Sequence, residues 1–126
     1  MRDWQYRSPM WLQGKTFQES SPFGPLLVSA DELPGGVRPA LDISLSLDGE
    51  LMQSSNTQDL VFDPPSLVSY VSTIMTLEPG DVIATGTPGG VGHARKPPRY
   101  LVAEQTLATT ISAIGQLVNN TAQEIL

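Results

Sequence analysis

The residues best placed to do chemistry lie in a glycine-dense stretch, Thr85-Gly86-Thr87-Pro88-Gly89-Gly90-Val91-Gly92. The hydroxyls of Thr85 and Thr87 flank Gly86, and the glycines let the backbone approach another group closely. Such a loop can present backbone N–H groups and hydroxyls to an anion. It is not a Walker loop, because no Gly-Lys-Ser/Thr follows, and it is not a G-x-G-x-x-G fingerprint opening a helix. Read alone, it suits a tight surface turn as well as a ligand site. Two other features fit an anionic ligand. Lys15 follows Gly14, which allows a turn that aims the lysine into a cleft, and His93 to Arg99 holds Arg95, Lys96 and Arg99, three of the seven Lys+Arg residues. On residue type alone, a lone lysine is a solvated surface charge. A solvated loop accounts for the basic segment nearly as well.

Other chemistries find little support. His93, the one histidine, sits in a basic Gly/Pro-rich loop, and there is no G-x-S-x-G elbow to carry a serine nucleophile. With no cysteine there is no disulfide, thiol nucleophile or His/Cys zinc site. The thirteen Asp+Glu residues are scattered and form no Glu-x-Glu pair, so no metal-ligand set is assigned within the chain. The residues by themselves supply anion-binding parts without a catalytic engine.

The elements that must position these groups are short. At 126 residues the chain suits one domain or part of one, and 40% hydrophobic with 16% charged residues is ordinary for a globular protein. A formal net charge of -6 argues against a nucleic-acid partner, which wants a basic face. No apolar run reaches membrane-spanning length, and the expectation is a cytoplasmic protein without a membrane partner. Eleven glycines and eleven prolines punctuate short extended segments, which predicts strands and turns more than helices.

Leu41, Ile43, Leu45 and Leu47 alternate with Asp42, Ser44 and Ser46, the pattern of a strand with one buried face. Asp48-Gly49 is a type I′ hairpin signal, and Glu50 to Ser54 returns as the partner. Thr106 to Ile111 and Gln116 to Asn119 read as a last hairpin around Gly115. One helix is expected over about 64–76, with Asp63 as cap, Pro64 and Pro65 in its first turn, and Leu67, Val68, Val71, Ile74 and Met75 as a core-facing stripe. Glu78-Pro79-Gly80-Asp81 predicts a turn, and Asp81 to Thr85 a short buried strand before the glycine loop.

Several stretches together carry a resemblance. They are Arg2-Asp3-Trp4-Gln5, Trp11 to Phe17, Pro22-Phe23-Gly24-Pro25, Asn56 to Phe62, Leu77 to Gly92, Pro97 to Leu101 and Ile114-Gly115. In this order they resemble the C-terminal part of the fumarylacetoacetate hydrolase family, from Arg2 to about Asn119, with Leu77 to Pro88 the most specific portion. The resemblance implies a mainly β fold, a partial mixed β-sandwich roll with few helices, usually paired as a homodimer. It implies a hydrolase or decarboxylase (lyase) that breaks C–C bonds of acylpyruvate-like 2-oxo acids, isomerisation being a further family activity. A divalent Mg²⁺ or Mn²⁺ would chelate the keto acid and steady the departing enolate. Carried over to this chain, Arg2 and Gln5 match substrate-lining side chains, and Lys15 matches the catalytic lysine beside the metal-bound substrate. Thr87, next to Gly86 in the glycine loop, matches the threonine that hydrogen-bonds the substrate carboxylate.

The departures are as informative. The family's metal ligands, a Glu-x-Glu pair and an aspartate four residues before the arginine matched by Arg2, would all precede Met1, as would its His-Glu base. Gln18 stands where many members carry an acid, and no Pro-Gly-Asp turn follows Leu101. The expectation is a single catalytic domain over 1–126, truncated at its N-terminus and inactive alone, with a missing N-terminal half or a partner chain holding the metal. A non-catalytic fragment or binding subunit is the alternative. Exposed apolar sheet faces and self-association are expected of the isolated chain.

Overall fold

The computed structural model describes residues 6–7 and 9–123. Four strands make one antiparallel sheet: β1 (Asp42–Leu47), β2 (Glu50–Asn56), β3 (Thr106–Ile111) and β4 (Gly115–Asn120). Their order across the sheet is β2-β1-β3-β4, so two sequence-local hairpins are joined by one long-range pairing. Among the described residues one α-helix, α1 (Pro64–Ser72), lies between the hairpins in the chain. The fold is thus mostly β with a single helix, as expected, and no helix among the described residues is long and apolar enough to cross a membrane.

The first hairpin forms where the alternation and turn chemistry place it. Asp48 and Gly49 take positive φ of 51° and 83°, the geometry that a type I′ turn demands. The register shifts between Leu45 and Ser46, so that Leu45 pairs with Gln53 and Ser46 with Leu51. A bulge of this kind bends the strand and re-aims the side chains beyond it.

Side chains close both ends of the seam between the hairpins. At one end, the Asp48 carboxylate accepts from Thr106 N–H at 2.8 Å and from the Gln105 amide at 3.0 Å. At the other, Asp42 N–H donates to Ser112 Oγ at 2.9 Å while Ser112 N–H donates to Asp42 carbonyl at 2.9 Å. Between them, Ile43 to Leu47 pair with Ile111 to Leu107. The seam is the costly contact, since its chain closure must be offset by the bonds it makes.

The buried apolar core is small: Leu41 and Leu47 are each 3% exposed and Met52 8%. Large apolar side chains elsewhere lie open, among them Leu27 at 83% and Val61 at 88%. The helical stripe, expected to be core, does not find one here. Val68, Ile74 and Met75 are exposed, and Leu67 and Val71 are only half-buried. Apolar exposure is therefore extensive among the described residues, but most of it lies in the loops and the helix, with Leu51 and Val118 the exposed large apolar side chains of the strands.

Two further expectations need correction. α1 ends at Ser72 instead of about 76, because Ser72 and Thr73 hydroxyls turn back onto the carbonyls of Ser69 (2.8 Å) and Tyr70 (2.7 Å) and compete with the helical ladder. Residues 73–75 continue as a tightened turn in which Ile74 and Met75 N–H both bond to Val71 carbonyl. Asp81 to Thr85 forms no strand, and Val82 is 65% exposed. A strand needs a neighbour to satisfy its backbone groups, and none lies beside this run among the described residues.

Local capping is well formed. Asp63 accepts from Ser66 N–H at 2.9 Å and pairs with Arg38. These contacts, Ser66 first and Arg38 next, pull its carboxyl down from 3.8 to about 2. A depressed carboxyl stabilises the fold at every pH above its unfolded value and loses that contribution as pH falls through its folded value. The thermal midpoint of the wild type should therefore exceed that of Asp63→Ala by a constant margin above pH 4, and the margin should close between 3.8 and about 2. Scanning calorimetry of both proteins across that range checks this.

Thr57 is a second joint. Its hydroxyl donates to Pro39 carbonyl and accepts from the N–H of buried Leu41 at 2.9 Å. Thr57→Val strands that N–H, which should cost about 1–3 kcal/mol. Urea unfolding should show a lower midpoint at an unchanged slope, whereas Thr57→Ser should keep most of the stability.

Candidate active site

The glycine loop lies against β2, and its glycines serve unequally. A Cβ on Gly90 would run into the Met52 carbonyl, and one on Gly92 would meet the Arg99 carbonyl. These two glycines are consumed by backbone-to-backbone contact within the protein, not by a ligand. Gly86 and Gly89 have no such crowding: nothing lies within 4 Å of a Cβ on Gly89, and only the Leu60 side chain, at 3.8 Å, neighbours one on Gly86. The half of the loop that can face a ligand is therefore Gly86 to Gly89.

Most of the basic segment is also engaged internally. Arg95 donates to Met52 carbonyl at 2.7 Å and Gly90 carbonyl at 3.1 Å, tying the far end of the loop to β2. Arg99 donates to Glu50 Oε2 at 2.6 Å, and its hydrogen bond and positive charge hold the Glu50 carboxyl below its usual value. Two of the three cations first read as candidate ligands for an anion thus act as struts. His93 is likewise accounted for. Its ring stacks on Tyr6 with centroids 4.4 Å apart, and its Nδ1 is 2.9 Å from Tyr100 hydroxyl. Tyr6 meets Trp11 edge-on at 5.5 Å, so these aromatics dock the first described residues onto the segment after the glycine loop.

A cavity of about 580 Å³ opens beside the loop, lined by Gly14, Lys15, Ser20, Ser21, Pro22, Gly86 and Thr87. Lys15 closes the 3-10 turn Trp11–Gly14, its N–H donating to Leu12 carbonyl at 2.9 Å. Its ammonium sits 5.7 Å from the centre of the Trp11 ring, a distance at which the aromatic face steadies a cation. Lys15, Gly86 and Thr87, singled out from distant parts of the sequence, therefore share one cavity. Arg2 and Gln5 lie outside the described residues. A smaller recess of about 190 Å³ adjoins at Gly86, Thr87 and Pro88 of the loop, walled by Ile43, Leu45 and Thr109 on the sheet side.

Sequence reasoning passed over Gln53, which pins the loop from the sheet. Its amide nitrogen donates to Pro88 carbonyl at 2.8 Å and reaches Thr87 Oγ1 at 3.3 Å and Gly89 carbonyl at 3.4 Å. The only available signal was one more polar residue in a strand that already mixes Leu51 and Met52 with Glu50, Ser54, Ser55 and Asn56, which is too common to stand out. Among the described residues no group of three or more His, Cys, Asp or Glu side chains converges as a metal centre. The described residues do not fit a divalent cation. What the arrangement can do is place a cation, a hydroxyl and an uncrowded backbone around an anion.

Comparison with known proteins places this geometry in context. The family model described as fumarylacetoacetate (FAA) hydrolase, C-terminal, matches residues 1–122. The mitochondrial oxaloacetate tautomerase Fahd2a of Rattus norvegicus is 44% identical over 119 residues, which are 94% of this chain and 37% of that protein. The fumarylacetoacetate hydrolase of Exiguobacterium antarcticum superposes with a TM-score of 0.91 at 38% identity, covering 98% of this chain and 43% of the other. Maleylpyruvate hydrolase from Sphingobium sp. SYK-6, solved with manganese(II) and pyruvate, gives 0.70 at 36% identity over 81% of this chain and 35% of that one. In each case the chain spans less than half the length of the relative. With its glycine loop, its sheet and nearly its whole length matched, the chain belongs to the fumarylacetoacetate hydrolase family.

Proposed function

We infer that this chain supplies the anion-holding side of an active site that cleaves a C–C bond in an acylpyruvate-like 2-oxo acid. The observation that carries this reading is the meeting of Lys15, Gly86 and Thr87 around one cavity. Cleavage leaves the bonding electron pair on the pyruvyl fragment as an enolate, and its oxygen needs a nearby positive charge. The Lys15 ammonium is suited to that task. Thr87 hydroxyl is suited to hold the carboxylate, and uncrowded Gly86 lets the substrate come close to the backbone. Arg2 and Gln5 would complete the lining. Hydrolysis and decarboxylation both pass through such an enolate, and this set of residues serves either.

The Mg²⁺ or Mn²⁺ that this chemistry calls for would be held by residues outside the described part of this chain, on an N-terminal half such as the longer relatives possess or on a partner. The exposed apolar side chains are consistent with a surface that such a half covers. In this reading the assembled protein is a cytoplasmic homodimer. A second reading takes the chain as a non-catalytic fragment or binding subunit.

Joining this chain to the N-terminal half of the Exiguobacterium enzyme separates the two. The isolated chain should show no turnover of oxaloacetate or an acylpyruvate above background with Mg²⁺ or Mn²⁺. The chimera should show steady turnover, and Lys15→Ala in it should lower kcat by about 10²–10³, the usual loss when one oxyanion partner is removed. A folded, metal-loaded chimera without activity would instead favour the binding subunit.

A further inference from the structure

We propose that Gln53 is a positioning residue that sets the direction of the Thr87 hydroxyl proton; this deepens the reading above and rests on it. The orientation of the Gln53 amide follows from its surroundings. Pro88 and Gly89 carbonyl oxygens lie 2.8 and 3.4 Å from its terminal nitrogen, and carbonyls only accept hydrogen bonds. Reversing the amide would set its oxygen against both of them. The NH₂ group therefore faces the loop.

That orientation constrains Thr87. Its Oγ1 lies 3.3 Å from the same nitrogen, which carries two protons and cannot accept a third. Thr87 is thus the acceptor in this pair. Its own proton must point elsewhere, into one of the two spaces that Thr87 borders, the smaller recess or the cavity shared with Lys15, and of these the cavity with its cation is where an anion would sit. Gln53 thereby converts a hydroxyl of either polarity into a donor aimed at the anion. The bulge in the first hairpin makes this possible, since it brings Gln53 opposite Leu45 on the sheet face that walls the smaller recess. A glutamate of the same shape would do the opposite. Its oxygen would repel the two carbonyls and draw the Thr87 proton away from the cavity.

The probe is pyruvate, titrated into the full isotope-labelled chain and followed by amide chemical shifts, with Gln53→Met, Thr87→Val and the double variant alongside. Gln53→Met should weaken pyruvate about tenfold, and Gln53→Glu further, in line with loss of one oriented donor to a charged group. In the Thr87→Val background Gln53→Met should have no further effect, because a residue acting through Thr87 has nothing left to orient. Thr87→Ser should restore the sensitivity. Equal weakening by Gln53→Met in both backgrounds, or none in the wild type, overturns the proposal while leaving the anion site standing. If saturating pyruvate shifts no residue of the wild-type cavity, the anion site itself fails and the proposal with it. If Gln53→Met does not fold, the wild type and Thr87→Val suffice: the Gln53 side-chain amide resonances must differ between them and move on adding pyruvate, and unmoved resonances overturn the proposal.

Discussion

The contact on which the site depends is the backbone-to-backbone approach of the glycine loop to β2. It is possible only because Gly90 carries no side chain against Met52 carbonyl, and Gly92 in the same way lets the chain beyond the loop fold back with its Arg99 carbonyl close by. Contact this close desolvates carbonyl oxygens, which need donors in return. Arg95 supplies them to Met52 and Gly90, and Gln53 supplies them to Pro88 and Gly89. Glycine geometry and side-chain donors are thus two parts of one arrangement. Together they hold Gly86 and Thr87 at the rim of a cavity whose other wall carries Lys15.

This arrangement reassigns the charges. A basic segment beside a glycine loop invites the reading of a phosphate or carboxylate trap, yet Arg95 and Arg99 are turned toward β2 and Glu50. Arginine suits such work because its planar fork can reach two acceptors at once. Lys15, a point charge on a flexible stem resting near Trp11, is left as the cation on the cavity wall.

The chain is also unusual in how little it buries. Among the described residues Leu41, Leu47 and Met52 are the buried apolar ones, while the helix and much of the loop region leave apolar groups in water. Burial of apolar area is the main favourable term in folding, so exposure on this scale is a cost that a covering surface would remove. The four-stranded sheet still closes well, because the seam between its hairpins is bonded through side chains at both ends. Its order rests on that polar joinery more than on a large core.

The sequence by itself determined what nearest neighbours control. Alternation from Leu41 to Leu47, the Asp48-Gly49 turn, the Asp63 cap and the two prolines specify a hairpin and a helix start, because dihedral preference and capping act within a few residues. The run from Leu77 to Pro88 was distinctive enough to point to the family, and with it to Lys15 and Thr87. Only the tertiary structure decided what those elements meet. It showed that Asp81 to Thr85 lacks a neighbouring strand, that Arg95 and Arg99 are struts, that His93 stacks on Tyr6, and that Gln53 reaches across to the loop. Each depends on segments far apart in the chain coming together, and a residue's type does not say which partner it will meet. Gln53 is the clearest case. Its neighbours mark it only as a strand residue, and its role exists only once the glycine loop folds back over β2.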